Sequence, residues 1–292
     1  MLDFVEYLNA LHPAVLGAAV FVFGLLVGSF LNVVILRLPA QLMHDWRCQC
    51  RELLALDGET AGEPEPAPPG LAVSRSHCPK CKVQIAWYDN VPLLSWLILR
   101  ARCRHCGERI SLRYPLVEFT TALLSVIVIA VLGPTPEGLA ALVLTWSLIA
   151  ATGIDFDYQL LPDQITLPLL WLGLALNMWF GLFASLEDAV IGAIAGYGSL
   201  WLVFHTFRLL TGKEGMGFGD FKLLGALGAW LGWQALPLVI LLASLVGAVV
   251  GLILMVAARH GRDVPIAFGP YLAMAGWIAL LWGEGIVDFW LY

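Results

Sequence analysis

Long apolar runs separated by short polar connections set the pattern of this chain. A helix needs about 20 mostly apolar residues to cross a bilayer. Stretches that approach this are Ala14–Leu36, Pro115–Leu132, Leu139–Ile154, Ile165–Leu182, Ala189–Leu210, Phe221–Leu236, Leu238–Ala258 and Ile266–Gly283. The pattern predicts an all-α polytopic membrane protein of about eight transmembrane helices. Phe221–Leu236 is the weakest by length, and its glycines at 225, 228 and 232 predict close helix packing. One long polar insertion, Pro39–Tyr114, follows the first run. The expected division is a first membrane helix over 14–36, a loop domain over 37–114, and a seven-helix membrane domain over 115–283.

Composition agrees. Of 292 residues 60% are hydrophobic and 13% charged, against about 25% charged in an ordinary soluble domain. The net charge of −6 sums groups on two sides of a bilayer and excludes little. Met1–Pro13 is acidic and lacks the basic start and small-residue cleavage site of a signal peptide, so the first run is expected to be a retained span. Lys and Arg set the orientation. None precedes Arg37, eleven lie from Arg37 to Arg113, and the rest fall in Arg208–Lys222 and Arg259–Arg262. With the long loop in the cytoplasm, alternating spans place every Lys and Arg inside, together with Asp155–Asp163, and both termini outside.

Within the loop, Asp57–Gly70 is acidic, proline-rich and free of aromatics, and reads as a disordered or extended linker. Cys78-Pro-Lys-Cys81 and Cys103-Arg-His-Cys106 are separated by 21 residues, the pattern of a four-cysteine zinc site. A reducing cytoplasm argues against disulfides; two separate thiol pairs or a redox dithiol are the alternatives. Four thiolates close a tetrahedral site, so zinc here would be scaffolding, and neither His77 nor His105 is needed as a ligand. Cys48 and Cys50 read as free thiols. Asn90–Leu97 is an apolar run suited to the membrane surface or to a small core beside the metal. The arginines at 100, 102, 104, 109 and 113 read as the positive-inside signal or as attraction to anionic lipid. No aromatic-interleaved basic surface accompanies them, which argues against nucleic acid.

The chemistry lies in carboxylates near the membrane, which are costly and therefore functional candidates. Gly215-Met-Gly217-Phe-Gly219-Asp220 places one behind three glycines, a backbone that an extended peptide can approach closely. Its bland reading is a turn with Asp220 as helix N-cap. Asp155, Asp157 and Asp163 lie together on the same expected side, among Ile, Phe, Tyr and Leu. Two facing aspartates share one proton, and the pair can activate water and protonate a leaving group. If the helix continues past Ile154, Asp157 lies about 200° from Asp155, so both cannot face one site. Asp155 is nearer the bundle, and Asp163 reads as a helix N-cap. Asn32 needs a partner inside the first span, with an interhelical hydrogen bond as the plain reading. Glu118, in the first turn after Pro115, is explained by the helix dipole alone.

With its GSFLNVVILRLP, CPKC…CRHC, RYPLVE, DFDYQLLPD, GMGFGD and AFGPYLA segments, the chain resembles the type IV prepilin leader peptidases of the GxGD aspartyl protease group over nearly its whole length. The resemblance implies a bifunctional enzyme of the bacterial inner membrane. It would cut the basic leader of type IV prepilins and type II secretion pseudopilins, then N-methylate the new N-terminus with S-adenosylmethionine. It implies Asp155 and Asp220 as the catalytic pair and associates methylation with the long loop. Gly217 and Gly219 become candidate substrate contacts, and Asp163, Glu118 and Asn32 candidate supporting residues. Some relatives carry Gly-Lys where this chain has Ala101-Arg102, and some lack the knuckles. The scissile bond would lie at the cytoplasmic interface, with Glu214 and Asp157 attracting the basic leader. No Gly-rich nucleotide loop marks a methyl-donor pocket, and neither the pilin processed nor the oligomeric state is written in the sequence. Two other classes remain. A transporter relaying ions through buried aspartates would show inverted halves, and none is visible. A scaffold would bind prepilins without chemistry.

Overall fold

The computed structural model describes residues 8, 12–56, 66–71, 75–213, 215–257 and 267–291. Residues 57–65 of the expected linker, Glu214, Arg259, Arg262, and the start of the last expected span at Ile266 lie outside the described residues. Regular structure among the described residues is helical, with two isolated β-bridges and no strand. The chain forms two compact units, one of residues 14–126 and one holding the residues from Ile127 onward.

The first unit opens with α1 (Pro13–Leu56), 44 residues long. The first span was expected to end at Leu36 and the loop domain to begin at 37. The helix instead continues through Pro39, and the loop begins as its extension. The reason is local: residues 40–56 are rich in Ala, Gln, Leu, Met, Arg and Glu, strong helix formers that need no bilayer. The end of the linker docks on this extension. Arg37 Nη1 donates to the Gly70 carbonyl at 2.7 Å and Gln41 Nε2 to that of Pro69 at 2.9 Å. A 3-10 turn (Trp87–Asn90) and a short α2 (Leu94–Ile98) follow, then α3 (Arg113–Leu132). Gly24 and Gly28 of α1 let α3 approach closely. A Cβ on Gly24 would lie 2.6 Å from Ala122 Cα, and one on Gly28 2.7 Å from Glu118 Cα.

The second unit contains α4 (Pro136–Tyr158), α5 (Asp163–Phe180), α6 (Leu186–Thr211), α7 (Phe218–Leu231), α8 (Leu236–Ala257) and α9 (Gly269–Leu291). Thr135 and Ser185 cap α4 and α6 through their side chains, as expected at helix starts. The 14-residue α7, the weakest expected span, is only about 21 Å long. It is nonetheless the centre of this unit, buried almost continuously from Asp220 to Trp230 and packed by α5, α6 and α9. Apolar burial cannot hold it there, because lipid is as apolar as leucine; helices in a bilayer associate through close packing and hydrogen bonds. Both are present. Cβ atoms on Gly192 and Gly196 of α6 would come within 2.3 Å of the Gly228 and 2.5 Å of the Leu224 carbonyl oxygens. Asn177 of α5 donates to the carbonyls of Ala229 and Trp230 and accepts from the Phe183 and Ala184 N–H groups. Trp230 Nε1 donates to the Leu169 carbonyl at 2.8 Å.

Among the described residues five helical stretches are long and apolar enough to cross a membrane: Pro13–Leu54, Arg113–Leu132, Pro136–Tyr158, Leu186–Thr211 and Trp233–Met255. Large apolar side chains such as Leu210, Ile194 and Trp179 are exposed on outer faces, the condition of lipid-facing residues. This is an all-α multi-pass membrane protein. Gly192→Val is expected to destabilise the second unit by at least ~3 kcal/mol, the upper part of the overpacking range, because it presses on backbone. Gly198, with nothing within 4 Å, supplies the control. Gly198→Ala should leave thermal unfolding in micelles unchanged or raise its midpoint slightly.

Candidate active site

Asp155 and Asp220 come together in the second unit by different local devices. The helix α4 runs to Tyr158, with Gln159 as a left-handed cap whose N–H donates to the Asp155 carbonyl. Asp155 therefore sits in the last turn on the buried face beside Ile154, only 5% exposed, while Asp157 is turned out to the surface, as the helical rotation requires. Asp220 lies in the first turn of α7 and is 7% exposed. The N-cap of that helix is Gly217, extended at φ −82, ψ 148, and the Gly217 N–H hydrogen-bonds the Asp220 carboxylate. A side chain reaching back from the first turn to the N-cap backbone is half of a capping box. The charge of Asp155 acts on Asp220.

The residue that orients Asp155 was not singled out from the sequence. Gly269 N–H donates to Asp155 Oδ2 at 3.1 Å, and a Cβ on Gly269 would stand 2.6 Å from that oxygen. The AFGPYLA segment at 267–273 was its only sequence signal. Leu161, buried between the two motifs, completes the frame. A Cβ on Gly269 would lie 3.0 Å from Leu161 Cδ1, and one on Gly219 2.7 Å from Leu161 Cβ. Gly219 thus packs against the connection that follows Asp155, whereas a Cβ on Gly217 would make only ordinary contact, 3.7 Å from Asp220 Oδ2.

Asp163 differs from its expected role as N-cap. Pro162 takes that position, with φ −65 and ψ 137 and no side-chain cap, and Asp163 is the first residue of α5. Freed from capping, its carboxylate pairs with Lys222 Nζ of α7 at 2.6 Å. The two aspartate-bearing segments are therefore tied at their solvent side.

In the first unit, Cys78, Cys81, Cys103 and Cys106 form the one group of metal-ligating side chains among the described residues, their sulfurs all within 4.8 Å of one another. The Cys78–Cys106 separation of 3.7 Å matches the edge of a tetrahedron with 2.3 Å Zn–S bonds, about 3.8 Å. Each knuckle is the tip of a small hairpin. Cys78 N–H donates to the Val83 carbonyl and Cys103 N–H to that of Glu108. The bridges His77–Gln84 and Arg102–Arg109 lie just outside them, and the following residues Lys82 and Gly107 are both left-handed. N–H groups of Cys81 and Lys80 lower the Cys78 thiol to about 6, and those of Cys106 and His105 lower Cys103. At Cys106 the Glu108 N–H is outweighed by burial and the neighbouring thiols, which push it up to about 11. Such a backbone favours thiolate ligands. Cys48 lies by His44 on α1, outside the cluster. Asn32 donates to the carbonyls of Gly28 and Tyr114, so its partner is backbone on its own helix and at the start of α3. Glu118 accepts the Leu93 N–H at 2.8 Å. The Asn90–Leu97 run is split, Ser95 buried while Leu94 and Leu97 are exposed.

Fold and site together define a polytopic helical membrane protein with a buried aspartate pair and a four-cysteine loop module. The Bacterial Peptidase A24 N-terminal domain matches residues 22–132, and the Type IV leader peptidase family matches residues 142–252. A "Prepilin leader peptidase/N-methyltransferase" of Aeromonas hydrophila is 59% identical over 272 residues, 93% of this chain and 92% of the relative. Proteins of the same name from Stutzerimonas stutzeri and Pseudomonas aeruginosa are 54% and 53% identical, over 98% of this chain and 97% of each relative. No solved structure matches. The chain belongs to the type IV leader peptidase family.

The Asp163–Lys222 pair is half exposed on the aspartate side and should contribute little stability. A double-mutant cycle of Asp163→Asn and Lys222→Met, followed by chemical denaturation, is expected to give a coupling of about 1 kcal/mol or less.

Proposed function

We propose that this protein removes the leader from type IV prepilins and pseudopilins with Asp155 and Asp220, at the cytoplasmic face of the inner membrane, and then N-methylates the new N-terminus. The observation that carries the reading is the aspartate pair. Two carboxylates from separate helices are both more than nine-tenths buried, interact through their charges, and each hold one backbone N–H. Close carboxylates cannot both ionise freely, so they retain one proton between them. The ionised member takes a proton from water as the water attacks the scissile carbonyl; the protonated member delivers its proton to the departing amine. One N–H on each carboxylate fixes its orientation and leaves lone pairs for this exchange. Gly217, extended and uncrowded, is the backbone beside which the leader junction is read, and Gly219 holds the site closed against Leu161. The Lys and Arg distribution supports a cytoplasmic long loop and a cytoplasmic aspartate pair. The relay reading gains nothing from these findings, since relatives matching nearly the whole chain are named peptidase and methyltransferase.

The four cysteines hold a structural zinc ion that joins the two hairpins, leaving no position open for chemistry. S-adenosylmethionine supplies the methyl group.

Co-expression with a prepilin tests the first part. Asp155→Asn and Asp220→Asn should each abolish cleavage while the protein still accumulates. Asp163→Asn should keep substantial activity, and Asp157→Asn should fall between. Gly269→Ala should lower cleavage by at least about 100-fold, since it displaces Asp155, and small misplacements of reacting groups carry costs of that size. An active Asp155→Asn beside an inactive, well-folded Asp163→Asn would overturn the assignment.

Metal analysis tests the second. Purified protein should hold one zinc per chain and Cys103→Ser should lose it, with methylation falling at least as far as cleavage because the metal orders the loop. A stable knuckle variant that methylates normally and fails only in cleavage would contradict this.

A further inference from the structure

The first unit holds a cavity of about 530 Å³ apart from the aspartate pair, with Cys78 and Cys103 of the knuckles on one side of it. It lies between the inner part of α1, the first turn of α3 and the knuckles, with Asn32, Val33, Leu36, Trp96, Tyr114 and Glu118 in its wall. Its size falls within the range of small-molecule sites, about 300–1,000 Å³, and its wall mixes apolar and aromatic side chains with polar and charged ones, Arg37, Arg104 and Arg109 among them.

Two of those polar groups are more than nine-tenths buried. Asn32 spends Nδ2 on two carbonyls. No described donor reaches its Oδ1, yet no buried side-chain nitrogen or oxygen among the described residues lacks a partner. Oδ1 is therefore the atom left open to the cavity. Glu118 is held by the Leu93 N–H and the Ser29 side chain. A buried carboxylate fixed by neutral donors keeps its charge available to a cationic ligand, while Arg37, Arg104 and Arg109 elsewhere in the wall offer partners for a carboxylate.

Methyl transfer to an amine brings two cations together. The methyl donor carries a sulfonium, and an α-amino group with pKa about 7.7 is largely protonated near neutrality. We propose that this cavity is the methyl-transfer site, taking S-adenosylmethionine against Trp96 with Glu118 facing the pilin amine; the inference rests on the bifunctional reading above. Glu118 accepts the proton that the α-ammonium gives up. The freed nitrogen lone pair forms the N–CH3 bond as the S–CH3 bond breaks, its electron pair staying on sulfur, so that S-adenosylhomocysteine and a monomethyl amine result. Asn32 Oδ1 offers a neutral acceptor to the nucleoside.

The test uses the full-length protein in micelles, with S-adenosylhomocysteine as the calorimetric probe and a prepilin as substrate for both reactions. Val33→Trp and Leu36→Trp each fill the cavity, and both should weaken probe binding by at least about tenfold, some 1.4 kcal/mol, while prepilin is still cleaved. Retained cleavage shows that the variants are folded. Glu118→Gln should bind the uncharged thioether probe like the unchanged protein but methylate at least about 100-fold more slowly, the range for a lost proton acceptor. A purely structural role for Glu118 would lower binding, cleavage and methylation together. Unchanged probe binding in both filled variants, or unchanged methylation by Glu118→Gln, overturns the assignment of the cavity alone. An unaltered protein that cleaves prepilin yet neither binds the probe nor methylates overturns the bifunctional reading as well.

Discussion

A helix surrounded by other helices in lipid cannot rely on apolar burial, so contact between backbones must hold it. That constraint governs the second unit. The helix α7 lies with its Gly228 and Leu224 carbonyls against Gly192 and Gly196 of α6, closer than any side chain would allow. Asn177 and Trp230 tie its far end to α5 by three hydrogen bonds. A short helix held so firmly presents a defined N-terminus, and Asp220 stands in its first turn. The position of one carboxylate thus follows from packing at the other end of the helix.

The same economy shapes the partner carboxylate. Asp155 gains its orientation from the first N–H of α9, through a glycine that has no room for a methyl group beside the Asp155 oxygen. Leu161 touches the space of both Gly269 and Gly219, so the two aspartate-bearing segments and the start of α9 share one buried side chain. Buried charge is tolerated because each carboxylate meets backbone donors, and the exposed Asp163–Lys222 pair joins the same segments where water screens it.

The first unit is built on different physics. Its loop residues lie outside the apolar runs, and two small hairpins there bring four cysteines together. Gly24 and Gly28 bring α1 and α3 together in the manner of α6 and α7, and that contact places Asn32 and Glu118 on one cavity wall. Polar side chains that look merely structural one at a time share one cavity when the helices meet.

Much of this was legible in the residues themselves. Apolar runs of bilayer length marked a multi-pass helical protein, and the CxxC spacing marked four cysteines that do converge. The 100° step of a helix separated Asp155 from Asp157. These are local properties, written in spacing and polarity within a few residues. Other features depended on which segments meet. Phe221–Leu236 looked weak because length was judged against lipid, whereas α7 is enclosed by protein. The first helix passed Leu36 because helix propensity outlasts hydrophobicity. Asp163 seemed a cap until Pro162 occupied that position and Lys222, distant in sequence, offered a charge. Gly269 carries no chemical group, and its role exists only where its N–H meets Asp155. Local pattern determined which elements form and which residues carry charge; the approach of backbones across the bundle decided which of those charges share a site.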